Sequence, residues 1–240
     1  SEGVRSRSLV CLMMLLGLRC LAADAAPTAE GAEEGPNVLF IISDDLSTAL
    51  GAYGHPQCKT PNLDKLAKGG VLFERAYSQY PVCGPSRSSL MTGQYPDSLT
   101  YSSFRKKYPN VVTLPQYFRN NGCYAARISK IYHMGVPPDI ARGSSGPDDP
   151  LSWDRTFNVK AAESKTTGER EFLSPKQRSQ GGAIITVKGP EDDSLYVDGI
   201  ATTEALKWLD ELGDRRFFLA VGMVRPHVPF VAPKSYFDLY

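Results

Sequence analysis

The sequence predicts an α/β fold in which a mostly parallel sheet carries helices on both faces. Two observations predict it: apolar runs of strand length, and capped segments of helical period lying between them. Asn37-Val38-Leu39-Phe40-Ile41-Ile42-Ser43 is a continuous apolar run bounded by turn residues, the pattern of a parallel strand buried on both faces, and it ends in Asp44-Asp45. Pro61 to Lys68 follows Thr60 as N-cap, has Pro in its first turn and stops at Gly69-Gly70, which predicts a short helix. Val71 to Tyr77 predicts a strand. Thr113 to Asn121, closed by Gly122, predicts another helix, with a strand over Tyr124 to Ser129 behind it. Gly199 to Leu212 places Ile200, Ala201, Ala205, Leu206, Trp208, Leu209 and Leu212 at helical spacing before a strand over Phe217 to Val224. Between Met134 and Tyr196 the periodicity fails, and Gly, Pro, Ser and Asp accumulate in stretches such as 143–150. Loops with little regular structure are expected there, of a length that in compact domains usually shapes a binding site or is disordered.

Composition narrows the function. The 240 residues are 42% hydrophobic and 22% charged, a globular balance at a length between one large domain and two ordinary ones. Lys and Arg number 27 against 26 Asp and Glu, so bulk charge does not recruit nucleic acid. Five cysteines are too few for a small disulfide scaffold and none forms C-x-x-C, so a metal should be held by oxygen and nitrogen. Arg5 and Arg7 precede an apolar run from Leu9 to Leu18, and Ala23-Asp24-Ala25 supplies the small residues of a cleavage site. Residues 1–25 therefore read as a signal peptide and 26–36 as a flexible lead-in. The run is half of the roughly 20 residues a membrane span needs, so no stable membrane insertion is expected. Loss of that leader takes Cys11 and Cys20 with it and leaves 24 residues of each sign and three cysteines, Cys58, Cys83 and Cys123. No N-x-Ser/Thr sequon occurs, which favours bacterial export, periplasmic or extracellular, over a glycosylated lysosomal route.

Paired acids at the end of a parallel strand sit where open α/β sheets bind ligands, and two adjacent carboxylates suit a hard divalent cation. Asp44 and Asp45 are thus metal candidates, although an Asp-Asp pair alone more often marks a solvated turn or a helix cap. Cys83-Gly84-Pro85-Ser86-Arg87-Ser88-Ser89-Leu90-Met91-Thr92-Gly93 places a cysteine just before a helix-starting Pro and a Gly at the helix end. A helix N-terminus with an Arg one turn in would favour a nucleophilic sulfur at Cys83; a buried structural cysteine is the alternative. His133, in Lys130-Ile131-Tyr132-His133-Met134-Gly135, and His227, in Arg225-Pro226-His227-Val228-Pro229-Phe230, each follow a predicted strand. Either histidine alone is more often structural than catalytic. All of these residues, however, fall on what would be one edge of one sheet.

The run from Cys83 to Gly93 resembles the signature of the type I sulfatases, in which the Cys of C-x-P-S-R is oxidised after translation to formylglycine. Met91 stands where Leu is usual, a mild exchange. Lys130-x-x-His133-x-Gly135 resembles the iduronate 2-sulfatase branch, as do Asp44-Asp45-Leu46, Thr60-Pro61-Asn62-Leu63-Asp64 and Pro226-His227-Val228-Pro229-Phe230 in the same order. The resemblance implies an alkaline-phosphatase-like sulfatase fold, with residues 37–240 as the N-terminal portion of the catalytic domain. It implies Ca2+ on Asp44, Asp45 and residue 83, and a formylglycine hydrate at 83 that attacks sulfur through one hydroxyl and later expels sulfate through the other. Arg87 would hold the hydrate and Lys130 would neutralise sulfate oxygens. His133 would take the second hydroxyl's proton, and His227 would bind sulfate or protonate the leaving oxygen.

Such sulfatases complete the metal site with a later acidic residue, an Asn or His and a second Lys, whereas this sequence begins at Ser1 and stops at Tyr240. It is therefore expected to be a fragment that is inactive alone. The implied partners are a sulfated carbohydrate, iduronate 2-sulfate units among the candidates, and a formylglycine-generating or radical maturation enzyme. A phosphonate or phosphate monoester hydrolase of the same superfamily, a secreted glycan-binding remnant and a plain Cys-His thiol hydrolase remain as alternatives.

Overall fold

The strand Phe217–Met223 lies at the centre of the molecule, with six of its seven residues buried. A computed structural model describes residues 35–96, 104–173 and 184–240. The expected signal peptide and nearly all of the lead-in lie outside the described residues. In chain order the elements are β1 (Val38–Ser43), α1 (Pro61–Gly69), α2 (Cys83–Thr92), α3 (Phe104–Lys107), α4 (Leu114–Asn120), β2 (Tyr124–Ser129), α5 (Pro138–Arg142) and β3 (Arg155–Phe157). There follow β4 (Glu169–Phe172), β5 (Ile185–Gly189), α6 (Val197–Leu212), β6 (Phe217–Met223), β7 (Phe230–Pro233) and α7 (Lys234–Phe237).

The main sheet has the order β1-β6-β2-β3, every neighbouring pair parallel. The alternation along β6 splits the core between the two faces. Phe217, Leu219 and Val221 pack with Ala126 and Ile128 of β2 and with Val197, Ala201, Ala205, Trp208 and Leu212 of α6. These five helical positions recur at intervals of three to four, one stripe of an amphipathic helix. Phe218 and Ala220 face the opposite layer with Met91 of α2, Phe118 of α4 and Phe40 of β1. There the Phe218 ring stacks on Phe118 at 4.8 Å and on Phe40 at 5.9 Å. Each fully buried Phe, Leu, Val or Met side chain in these layers contributes about 1.5–3 kcal/mol through its removal from water, and the partly buried Phe40 and Phe118 less. α4 begins with a capping box: the Thr113 hydroxyl accepts from the Gln116 amide while the Gln116 side chain accepts from Thr113 N–H.

The structure corrects several expectations. Among the described residues β1 is an edge strand with only one of its faces covered: Leu39 and Ile41 are 46% and 55% exposed, because α6 packs on β6 and β2. Val71 to Tyr77 forms no strand; Val71, Phe73 and Tyr77 are exposed, and the segment turns at Glu74-Arg75. Its β-forming side chains have no neighbouring strand to pair with among the described residues, so propensity alone does not hold an extended pair. Thr60 does not cap α1 through its side chain; its hydroxyl accepts from Gly51 N–H at 2.8 Å and donates to Asp64 Oδ1 at 2.8 Å. The stretch from Met134 to Tyr196 is more regular than its composition suggests. It holds α5, the three-residue β3, and β4 and β5, which join β7 in a second sheet ordered β4-β5-β7.

Candidate active site

Parallel pairing brings the carboxyl ends of β1, β2 and β6 to one edge, which is where the sheet hands its chain to the chemistry-bearing loops. Asp44 follows β1, and its amide extends the ladder by donating to Met223 O at 3.1 Å. Asp45 then takes a left-handed backbone conformation, φ 59°, which small acids adopt more readily than most residues. Ser129, the last residue of β2, is also left-handed, φ 60°, and turns the chain so that Lys130 passes beneath the sheet edge. That passage depends on Gly222 of β6, opposite Ser129 in the register: a Cβ there would lie 2.0 Å from Lys130 O. Gly222→Ala is therefore expected to push the end of β2 away and to destabilise the fold by about 1–3 kcal/mol, as overpacking does. A urea midpoint equal to that of the parent would contradict this.

Around that edge three buried charges form one cluster. Asp44, Arg87 and Lys130 are 4%, 5% and 1% exposed. Arg87 Nη2 donates to Asp44 Oδ1 at 3.1 Å, and Lys130 Nζ pairs with Asp44 Oδ2. The Arg87 fork also donates through Nη1 to the carbonyls of Lys130 and Ile131, at 2.6 and 2.9 Å, so it ties α2 to the end of β2. Burial alone would raise the Asp44 carboxyl, but Arg87 and Lys130 outweigh it and hold the group below the usual carboxylate range.

Cys83 opens α2, and its Sγ lies 3.4 Å from His133 Nδ1. Burial, reinforced by the Lys130 charge, lowers the His133 pKa, so its imidazole is neutral at neutral pH. His227 Nδ1 lies 2.6 Å from Val228 O; a carbonyl only accepts, so Nδ1 carries a proton. The ring's Nε2 is 3.9 Å from Asp45 Oδ2. A cavity of about 290 Å³ opens onto Asp44, Asp45, Cys83, Ser86 and Arg87, with Tyr80 and Leu90 on its wall. All seven residues singled out in the sequence thus meet at one edge of the sheet. Among the described residues, however, no three His, Cys, Asp or Glu side chains gather into a group that could hold a metal. Cys83 faces His133, Asp44 faces its two cations, and Asp45 faces His227.

The sulfatase family model matches residues 36–240. The chain belongs to the sulfatase family. Iduronate 2-sulfatase of Mus musculus is 34% identical over 95% of this chain and 41% of its own length, and the Homo sapiens protein is 32% identical over 98% and 43%. A sulfatase of Formosa agariphila is 31% identical over 95% of this chain and 46% of its own. The chain thus spans less than half the length of these curated relatives. Among solved structures, Ps i-CgsB in complex with k-i-k-neocarrahexaose superposes with a TM-score of 0.54 at 25% identity, covering 82% of this chain and 46% of that one. Phosphonate monoester hydrolase of Agrobacterium radiobacter shares the fold, with a TM-score of 0.58 at 24% identity over 86% of this chain and 44% of that one. The fold is the mostly parallel, helix-flanked sulfatase sheet.

Sequence reasoning missed Glu163 and Asp198, which hold the segment that carries His227. Asp198 Oδ1 and Oδ2 accept from the amides of Val224 and Arg225 at 2.7 and 2.9 Å. Glu163 accepts from Val197 N–H at 2.6 Å and pairs with Arg225. An acid directly before the predicted helix Gly199 to Leu212 is a legible helix-start signal for Asp198, which the structure places in the first turn of α6; Glu163 stands in a segment without periodicity and offers none.

Proposed function

We propose that the sulfatase to which this chain belongs hydrolyses sulfate esters of a carbohydrate, in the manner of iduronate 2-sulfatase, with residue 83 as the nucleophile position. The observation that carries this reading is Cys83 at the start of α2, 3.4 Å from His133 and beside the buried Asp44–Arg87–Lys130 cluster. A formylglycine hydrate at position 83 would supply a hydroxyl nucleophile with a second hydroxyl for sulfate release, and Ca2+ would supply positive charge to the sulfate oxygens. Asp44 and Asp45 are hard oxygen donors that fit part of the six to eight oxygens such an ion takes. A cysteine sulfur is a poor calcium ligand, so residue 83 fits the ion only once it presents oxygen.

The chain's own side chains divide the remaining work. His133, whose Nδ1 lies 3.4 Å from Cys83 Sγ, would take a proton from the head group of residue 83. His227, whose Nε2 lies 3.9 Å from Asp45 Oδ2, would bind the sulfate or give a proton to the leaving alcohol. Lys130, paired with Asp44, would bring its charge to the sulfate oxygens, while Arg87, which borders the cavity and ties the end of β2 to α2, would hold the hydrate. Export and a maturation enzyme acting on Cys83 belong to this reading; no helix among the described residues is long and apolar enough to cross a membrane.

Mass spectrometry of the tryptic peptide Ala76 to Arg87, from protein made in its native host, is expected to show the mass loss of a thiol converted to an aldehyde. An unmodified cysteine, in a host whose other sulfatases are converted, would sink the formylglycine reading and return the thiol and glycan-binding alternatives. Sulfate and phosphate esters of one aryl alcohol, compared on the same sample, separate sulfatase from phosphonate or phosphate hydrolase.

A further inference from the structure

Four side-chain hydrogen bonds and one ion pair converge on the segment that presents His227, and the reaction itself uses none of the side chains that make them. Arg225 clasps its own loop: Nη1 donates to His227 O at 2.8 Å and Nε to Val231 O at 3.3 Å. Its Nη2 pairs with Glu163, which is 2% exposed and anchored on Val197 N–H at the start of α6. Asp198, one residue into that helix, takes the amides of Val224 and Arg225 on its two oxygens. The loop's first residues are thereby pinned to the α6 N-terminus, and its later carbonyls are pinned to the Arg225 guanidinium. His227 then closes a turn by donating its amide to Val224 O at 2.9 Å, which leaves its ring against Val228 O on one side and Asp45 on the other.

We propose that Glu163, Arg225 and Asp198 form a positioning unit that fixes the orientation and tautomer of His227 at the cleft. The unit is built from a planar fork with three engaged nitrogens and from two carboxylates whose four oxygens are all engaged. Only a guanidinium can pair with Glu163 and clasp two carbonyls at once; a lysine at 225 would keep the ion pair and lose the clasp. The relevance of this unit to catalysis rests on the sulfatase reading, whereas its effect on His227 does not.

The test separates these two. The chain carries three histidines, so 15N-histidine labelling gives few imidazole patterns, and that of His227 is the one missing from His227→Gln. In the parent, His227 is expected to show the Nδ1-protonated tautomer at one position. In Arg225→Lys, with melting close to that of the parent, the His227 pattern is expected to become tautomer-averaged and its reaction with diethyl pyrocarbonate to quicken about tenfold. His55 and His133 should hold their parent patterns. Glu163→Gln, which keeps an acceptor for Val197 N–H and removes the charge, is expected to shift His227 in the same direction. Parent-like His227 patterns in both folded variants would overturn the proposal. So would failure of both variants to fold, since the network would then be a core element and nothing more. In the protein from its native host, Arg225→Lys is expected to lower kcat on an aryl sulfate about 10- to 100-fold with little change in KM, the scale known for outer partners that orient a histidine. A parent without sulfatase activity would count against the sulfatase reading and leave the imidazole result standing.

Discussion

Cys83→Ala is expected to abolish sulfate-ester hydrolysis, lowering kcat by about a million-fold, the scale on which an enzyme loses its nucleophile. The loss should fall on kcat, because alanine removes the reacting group and leaves the buried cluster of Asp44, Arg87 and Lys130 in place. Cys83 is half-buried and lies outside both faces of the core, so the variant should melt within about 1 kcal/mol of the parent. That contrast distinguishes a missing nucleophile from a damaged fold. It is checked on protein from the native host, with an aryl sulfate as substrate and urea denaturation alongside. Retention of even a hundredth of the parent rate would mean that residue 83 is not the nucleophile, whatever its neighbours.

The parts of this site that sequence reasoning reaches are those whose chemistry and backbone signal coincide. Asp44-Asp45, Lys130 with His133, and His227 each stand directly after a strand whose apolar run is unmistakable, so parallel topology alone sends them to one edge. Cys83 is marked twice, by Pro85 within the first turn of α2 and by Gly93 at its end, where φ is 67°. What stayed hidden depends on contacts between distant segments. β1 carries the same apolar run as a strand covered on both faces, and nothing within the run says that α6 stops short of Leu39 and Ile41. Val71 to Tyr77 has the residues of a strand without a neighbour to pair with. β3, with three residues, is shorter than any period can register, and it exists because Ala126 to Ile128 offer it a ladder. Gly222 was open to a better reading, since an isolated glycine in a buried strand signals close approach of another backbone, and here that backbone is Lys130. Glu163 could not have been chosen by any local rule: what distinguishes it is Arg225, 62 residues away.

Asp44→Asn is expected to be the most destabilising single change in the cleft, by about 3–5 kcal/mol, the range for breaking a buried ion pair by removing one partner. In the parent, one carboxylate serves two cations, all three side chains at or below 6% exposure. An asparagine keeps the shape but leaves Arg87 and Lys130 buried together with no counter-charge, and its amide nitrogen would point a donor at one of them. Against a typical total stability of about 5–15 kcal/mol, that is a large fraction. The pH dependence follows from the direction of the Asp44 shift. Its folded pKa is depressed, so its stabilisation is complete above the unfolded value of about 3.9 and is lost as pH falls through the folded one. The urea-midpoint gap between parent and Asp44→Asn should therefore be constant from about pH 5 to 8 and close only below about pH 4. Adding Lys130→Met to Asp44→Asn should recover part of the loss, because it removes one of the two stranded charges at similar volume. A double variant less stable than Asp44→Asn alone would show that Lys130 is held by its packing and not by the carboxylate.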